Sequence, residues 1–570
     1  MKVKNYLKIV PPYSIAILAL GMFSMSCNRE KLAEYNTNPD LILNVSPKPI
    51  LTTAIVKMHD NSGEAFWDNI RGISNWTQQF VRKNGNSVSF ASSANNTNGR
   101  YGTFYNGVGP LLIDAQKRIE LMPAGEKEKY AYIHAIPSIL KVYYAWYVSD
   151  VNGSLAYIDG LSARNGGTFS PAYQSQQELY DIFDKELKAA VTVLKTQQPA
   201  VQEMLGSHDL YFDGNDASIQ KWIKAANSLR LKIAMRLTKR DPEKTKAIAA
   251  EVLADNVGVI SSLEEEWLFK AGPSFTADGN WNPYPDNGFS GEKNVIDFLW
   301  NTQDPRLRLF FRKNSWTKAN FDLAKAQGKI GANAKWDPRQ YYGQYASPDA
   351  NKDEDKKRFF ESVTIKDGGK DVVIDTISPL QQRLFQAEYN GGKGFTTFHV
   401  ITYADVCFMR AELAARKLTN ESAEDWYYKG IDASIRSYND IANVAQLEEY
   451  EAVAGNEIAT YIQQPGIKFN PAKALEQIVI QQYLNYFKLP NEAWALIKRT
   501  GMPNANTIMP LEVLKGDGQL LEIPRRYVIN YPLAGDLNFT NRTQAIDDMR
   551  KDPDFGLPSD IFGRVWWDKK

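Results

Sequence analysis

Three stretches of this chain set an aromatic ring beside side chains that bond hydroxyls. Trp76 is followed by Gln78 and Gln79, and Trp281 by Asn282 and Tyr284. Trp336 is followed by Asp337, Arg339, Gln340, Tyr341 and Tyr342. A sugar ring offers an apolar face of C–H groups edged by hydroxyls. An indole or phenol can cover that face while amides, acids and guanidinium groups take the edge. Trp76, Trp281, Tyr284, Trp336 and Tyr341 are therefore the candidate ligand-binding residues. The same mixtures suit a peptide side chain or a protein partner, or a loop pinned to the body by its aromatics. Trp222 and Trp494 lie in apolar helical runs and read as core.

Signatures of catalysis are missing. The chain has no His-Glu-x-x-His, no Cys-x-x-Cys and no phosphate-binding glycine loop. Gly288-Phe-Ser-Gly-Glu292 begins like a nucleophile elbow, but its second glycine comes one place early. His59, His134, His208 and His399 are far apart and show no ligand spacing. No metal or cofactor is expected, and the chain reads as a binding protein rather than an enzyme. The chain has 66 acidic residues with nothing to mark any two as a glycosidase pair, and a surface glycan hydrolase is the alternative of a different class. Cys407, in an apolar helical stretch, reads as a buried small hydrophobe.

Cys27 carries another kind of chemistry. Lys2, Lys4 and Lys8 precede an apolar run from Ile15 to Phe23, then Ser26 and Cys27. That is the layout of a secretory signal, and the apolar run is shorter than the roughly 20 residues a membrane span needs. A signal ending on cysteine points to lipid attachment at Cys27. The expected division is a lipoprotein signal peptide at 1–26 and one merged body at 27–570. Net charge is +1, and loss of the three lysines leaves the mature chain near neutral. Nothing in that balance marks a nucleic-acid binder.

The elements that must position the aromatics are mostly helices. Apolar residues recur at the 3.6 period through 129–149, 173–194 and 216–237. Asp216, Asp241-Pro242, Thr402 with Asp405, and Asn470-Pro471 read as helix starts. Helices at 403–416 and 421–438, joined by a short turn, should pack antiparallel, loosely like a tetratricopeptide unit. Sheet signals are few, and Asp371 to Thr376 is one short strand candidate, in a hairpin. Residues 271–292 and 313–400 break the helical pattern with Gly, Pro, Asn, Asp and aromatics. They read as a long, irregular ligand face on the helical scaffold.

Several motifs follow one another in a distinctive order. They are Tyr35-Asn-Thr-Asn-Pro39, Val148 to Tyr157, Pro171 to Tyr180 and Phe212-Asp-Gly-Asn-Asp216. Then come Lys221 to Arg236, Asp304-Pro-Arg-Leu307, Thr402-Tyr-Ala-Asp405, Glu492-Ala-Trp494 with Lys498 to Gly501, and Arg525 to Asn538. In this order the chain resembles the SusD/RagB family of Bacteroidetes outer-membrane lipoproteins, in its SusD-like branch. The resemblance implies a mostly α fold, with a tetratricopeptide-like helix-pair scaffold and a loop-rich ligand face. It implies a lipid-anchored cell-surface protein seated on a SusC-like TonB-dependent transporter. Its ligand would be a glycan, or in some members an oligopeptide, passed on to the barrel.

Overall fold

Local signals start the helices where side chains can satisfy the free N–H groups of a first turn. The Thr402 hydroxyl accepts from the Asp405 N–H, and the Asp405 carboxylate accepts from the Thr402 N–H, each at 3.1 Å. Ser175 and Glu178 form the same reciprocal cap. Asp241 accepts from the Lys244 N–H at 2.9 Å, with Pro242 in the first turn. One expected cap shifts by a residue. Asn215, whose amide accepts from the Ser218 N–H, is the cap, and Asp216 is the first helical residue.

A computed structural model of the chain describes residues 46–61, 63–90, 98–272 and 288–570. Pro47–Lys570 forms one compact body. Cys27, Trp281 and Tyr284 lie outside the described residues. Helices occupy about 52% of the chain, well above the roughly 30–35% usual for globular proteins. Among them are α1 (Pro47–His59), α2 (Gly109–Glu120), α3 (Ala131–Asn152), α4 (Gln176–Lys195), α5 (Asp216–Arg236) and α6 (Pro242–Ala254). After them come α7 (Lys318–Ala326), α8 (Tyr403–Ala415), α9 (Ala423–Val444), α10 (Ala474–Asn485) and α11 (Pro490–Thr500). Consecutive helices pack in pairs, α3 on α4, α4 on α5, α5 on α6 and α8 on α9. Gly430 lets the last pair close. A Cβ there would lie 2.4 Å from the Phe408 ring.

Strands are few and short. Those longer than two residues are β1 (Phe80–Arg82), β2 (Trp267–Ala271), β3 (Phe289–Gly291), β4 (Ser362–Asp367), β5 (Lys370–Asp375) and β6 (Thr396–Ile401). They pair antiparallel as β1 with β3, β2 with β6 and β4 with β5. The expected hairpin strand is β5. Among the described residues, no helix is long and apolar enough to cross a membrane.

Two large apolar cores form. One gathers α1 to α6 around Trp146, Trp222 and Trp267. The other gathers residues mostly from the second half, joined by Ile70 and Phe80, with Phe310 stacked on Phe487 at 3.9 Å. A smaller cluster holds Trp76, Trp494 and Tyr527. Cys407 is buried, and burial pushes its thiol up to about 12. Trp222 and Trp494 are buried as expected.

A seam of buried charge links the two halves. Lys232 and Arg236 are four residues apart on α5 and share a face. Lys232 Nζ reaches Asp405 at 3.2 Å and Glu492 at 3.7 Å. Arg236 meets Asp150 and Glu492, each at 2.9 Å. Glu412 of α8 pairs with Arg499 of α11 and, at 2.7 Å, with Arg416. Buried charges persist only when paired, and here every carboxylate has a cation. The seam gives the Lys221–Arg236 motif its physical meaning.

Candidate functional site

The irregular segment after Phe311 builds a cleft. The Asn314 amide donates to the Thr376 carbonyl at 2.9 Å, and its carbonyl accepts from the Trp316 N–H at 3.2 Å. Thr317 then caps α7, accepting from the Asn320 N–H at 3.1 Å. That helix ends at Gly328, whose φ of 63° is a conformation glycine adopts without strain. Beside that end, Gln327 donates to the Lys366 carbonyl at 2.6 Å and accepts from the Lys366 N–H at 2.8 Å. It thereby pairs with the backbone of β4 as a strand would. The chain then returns through Ala334, Lys335 and Trp336.

The resulting open cleft has a volume of about 470 Å³. Its aromatic lining is Trp316, Phe321, Trp336, Tyr342 and Phe359. Trp336 Nε1 donates to the Trp316 carbonyl at 2.8 Å, which fixes the indole. Trp316 meets Phe321 at 5.9 Å between ring centroids, and Tyr342 meets Phe359 at 6.4 Å. Polar groups edge the cleft: Asn314, Lys335, Asp337, Arg358 and Thr376. Asp337 accepts from the Tyr342 hydroxyl and, at 2.9 Å, from the Arg339 N–H. Those bonds hold its carboxyl below the ordinary range. Burial and the Asp337 charge push the Tyr342 phenol up to about 12. Arg339 lies 4.8 Å from the Tyr342 ring and 5.4 Å from the Trp300 ring, and its guanidinium pairs with Asp297. Rings fixed by hydrogen bonds under a polar rim suit a flat, partly apolar ligand with many hydroxyls.

Of the residues singled out by sequence, Trp336 stands in this cleft. Trp76 does not. It is 0% exposed, donates to the Phe90 carbonyl at 2.9 Å and packs 5.2 Å from Trp494. Its amide neighbours point inward as well. Gln78 bonds the Glu512 carbonyl at 2.9 Å, and Gln79 the Tyr486 carbonyl at 3.0 Å. Trp76 is therefore corrected from platform to core. Tyr341 is corrected too. It is 8% exposed and packs in the second core, while the next residue, Tyr342, faces the cleft, as alternation along an extended segment requires.

Trp316, Phe321 and Phe359 were not singled out. Trp316 has Asn314 two residues before it and Lys318 two after it, the same spacing that singles out Trp76, so the signal was present and was passed over. Trp67 was also missed. It is 50% exposed, with Arg71 5.2 Å from its ring.

Other hollows suit a sugar less well. One of about 70 Å³ among His59, Glu64, Asn69, Thr397, His399 and Lys488 is sized for water. One of about 490 Å³ beside Gln197, Gln198, Gln202 and Gln220 has Tyr132 as its aromatic residue and no paired rings. Among the described residues, no group of three or more His, Cys, Asp or Glu could hold a metal ion.

Comparison with known proteins agrees with this architecture. A family profile described as "Starch-binding associating with outer membrane", of the SusD-like type, matches residues 39–532. A solved chitin-binding protein is 20% identical, with a TM-score of 0.65, covering 92% of this chain and 100% of its own. A chitin-binding SusD homologue from Flavobacterium johnsoniae is 19% identical, with a TM-score of 0.62, covering 92% and 99%. A SusD homologue from Bacteroides fragilis is 22% identical, with a TM-score of 0.62, covering 92% and 100%. At these identities the likeness is one of fold. No curated protein matches the chain. The profile match spans most of the sequence, and the hydrolase alternative falls with it: the chain belongs to the SusD-like family of starch-binding proteins that associate with the outer membrane, a family of binding proteins rather than enzymes.

Proposed function

We propose that this protein captures glycan chains at the cell surface and passes them to a SusC-like TonB-dependent transporter. In this reading residues 1–26 are removed and Cys27 carries the lipid that holds the body at the outer membrane. The observation that carries the capture step is the cleft, where Trp336 is fixed against Trp316 beneath a rim of Asn, Asp, Lys and Arg. Trp281 and Tyr284 stay in the proposed ligand set on sequence grounds. The family description names starch, and two fold neighbours are described as binding chitin. Both polymers therefore belong in the first trial.

The test is retention on a glycan panel that includes starch and chitin oligosaccharides, with an oligopeptide library in parallel. Retention of glycan that weakens in Trp316→Ala and Trp336→Ala is the expected result. Retention of peptides alone would replace glycan by peptide as the cargo. For the transfer step, mild detergent extraction from native cells should recover a large barrel protein with this one. The shared interface should exceed about 1,200 Å².

A further inference from the structure

The wall that holds Trp316 and Trp336 is strongly basic. Residues 312–336 contain Arg312, Lys313, Lys318, Lys325, Lys329 and Lys335 against a single acid, Asp322. The whole chain carries a net charge of only +1, so this is a local concentration. Two of the six cations are neutralised. Arg312 meets Glu448 at 2.9 Å, and Lys318 meets Asp322 at 2.5 Å. Lys313, Lys325, Lys329 and Lys335 have no carboxylate partner among the described residues, and Lys325 donates instead to the Ala334 carbonyl at 3.1 Å.

The other wall is balanced overall, with three acids and three cations from Asp353 to Arg358, but the cation it sets on the lining stands unpaired. In the run from Asp353 to Arg358, Lys356 pairs with Asp353 at 3.3 Å and Lys357 pairs with Glu354. Arg358 lines the cleft with its guanidinium 4.8 Å from the Phe359 ring and no carboxylate partner among the described residues. The carboxylate on the lining, Asp337, already accepts two hydrogen bonds from the protein. Like charges closer than a Debye length, about 8 Å at physiological salt, reinforce one another. Unpaired cations around a concave apolar surface concentrate anions there.

We propose that the cleft takes an anionic glycan, one bearing uronate carboxylates or sulfate esters. Its sugar rings lie against Trp316 and Trp336, and its acidic groups meet Lys335 and Arg358. This rests on the reading of the cleft as the capture site. Planar forks such as Arg358 suit carboxylate and sulfate oxygens alike, so the chemistry of the anion is shared between the two sources.

The experiment is titration calorimetry on the mature protein. The probes are soluble starch and chitohexaose as neutral glycans, polygalacturonate as a uronate, carrageenan as a sulfate ester and polyglutamate as a polyanion without sugar. Titrations run at about 50 mM and about 500 mM sodium chloride, which changes the screening length several-fold. The expected result is an acidic glycan bound at least about tenfold tighter than the neutral ones, with a comparable loss at high salt. Lys335→Glu with Arg358→Glu should abolish that preference, and Trp336→Ala should weaken binding of the same probe. Whether polygalacturonate or carrageenan wins tells carboxylate from sulfate.

Neutral glycans that bind as well as acidic ones, or acidic binding untouched by the charge reversals, would overturn the anionic ligand and leave glycan capture standing. Polyglutamate binding as tightly as the acidic glycans, or acidic binding indifferent to Trp336→Ala, would mean non-specific polyanion attraction and overturn it too. No binding by any glycan probe would overturn the capture reading itself. Variants that melt with the wild type exclude misfolding as the cause.

Discussion

Arg236 Nη2 stands 2.9 Å from both carboxylate oxygens of Glu492, across 256 residues of chain. One side chain belongs to α5 in the first half and the other to α11 in the second. Burial would raise the Glu492 carboxyl, but the charges of Arg236 and Lys232 outweigh it and hold the group below its ordinary value. Replacing Glu492 by alanine leaves two buried cations short of a partner. The expected cost is about 3–5 kcal/mol of unfolding free energy, read from urea titration at neutral pH. A loss below the error of that titration would show the seam to be incidental.

The companion carboxylate, Glu412, is taken down to about 2 by Arg499 and Arg416, against the opposing effect of burial. A depressed carboxyl stabilises the fold above its unfolded pKa of about 4.5. That contribution fades as pH falls from there toward about 2. Glu412→Gln should therefore flatten the acid limb of a stability–pH curve while lowering stability at neutral pH.

His399 works in the same direction by a different route. It is buried, neither ring nitrogen has a hydrogen-bond partner among the described residues, and it meets the Tyr438 ring at 5.3 Å. Burial, with Lys488 and Lys232 nearby, lowers its pKa from 6.5 to about 3. The unfolded chain therefore binds a proton that the folded chain refuses between those values. Stability from this group is complete above about 6.5 and is lost as pH falls toward 3. His399→Phe keeps a ring against Tyr438 and should reduce the slope of melting temperature with pH over that window, with little change at pH 8. An unchanged slope would show that the imidazole titrates normally.

Trp76 and Trp336 should behave as opposites. Trp76→Ala opens a hole beside Trp494 and is expected to cost about 3–5 kcal/mol of stability. Trp336→Ala should leave the melt nearly unchanged and weaken glycan binding by about 1–3 kcal/mol, the scale of ring stacking in other systems. Calorimetry and thermal melts on the two variants decide it. An early melt for Trp336→Ala with normal binding would make that indole a loop anchor.

Cys27→Ala should move the protein from the membrane fraction to the soluble fraction, as judged by fractionation and immunoblot. Unchanged retention in the outer membrane would show that another segment holds it there.

Helix starts were readable in the sequence because a cap is a matter of three or four residues. Thr402 with Asp405, and Asp241-Pro242, stand where they were expected. Even the displaced cap, Asn215 for Asp216, moved by one place. Trp76 was not readable in that way. Its two polar neighbours suggested a rim, but Gln78 and Gln79 turn inward to carbonyls more than 400 residues away. The charge seam was invisible for the same reason, since Lys232 and Arg236 find acids across 86 to 256 residues. The cleft was legible in half. Trp336 and Trp316 both carry polar neighbours in sequence, but the partnership of the two indoles across 20 residues appears only on folding.

The hairpin of β4 and β5 packs with α7 around Ala324, Ile365 and Ile374, a small cluster separate from both large cores. Trp316 and Ile330 rest against that cluster and also line the cleft. The ligand wall thus has a foundation of its own. Substitutions that reshape it are absorbed locally, without disturbing the charge seam or the helix pairs. The wall can therefore be resurfaced like a tile, with neither large core needing to be repacked.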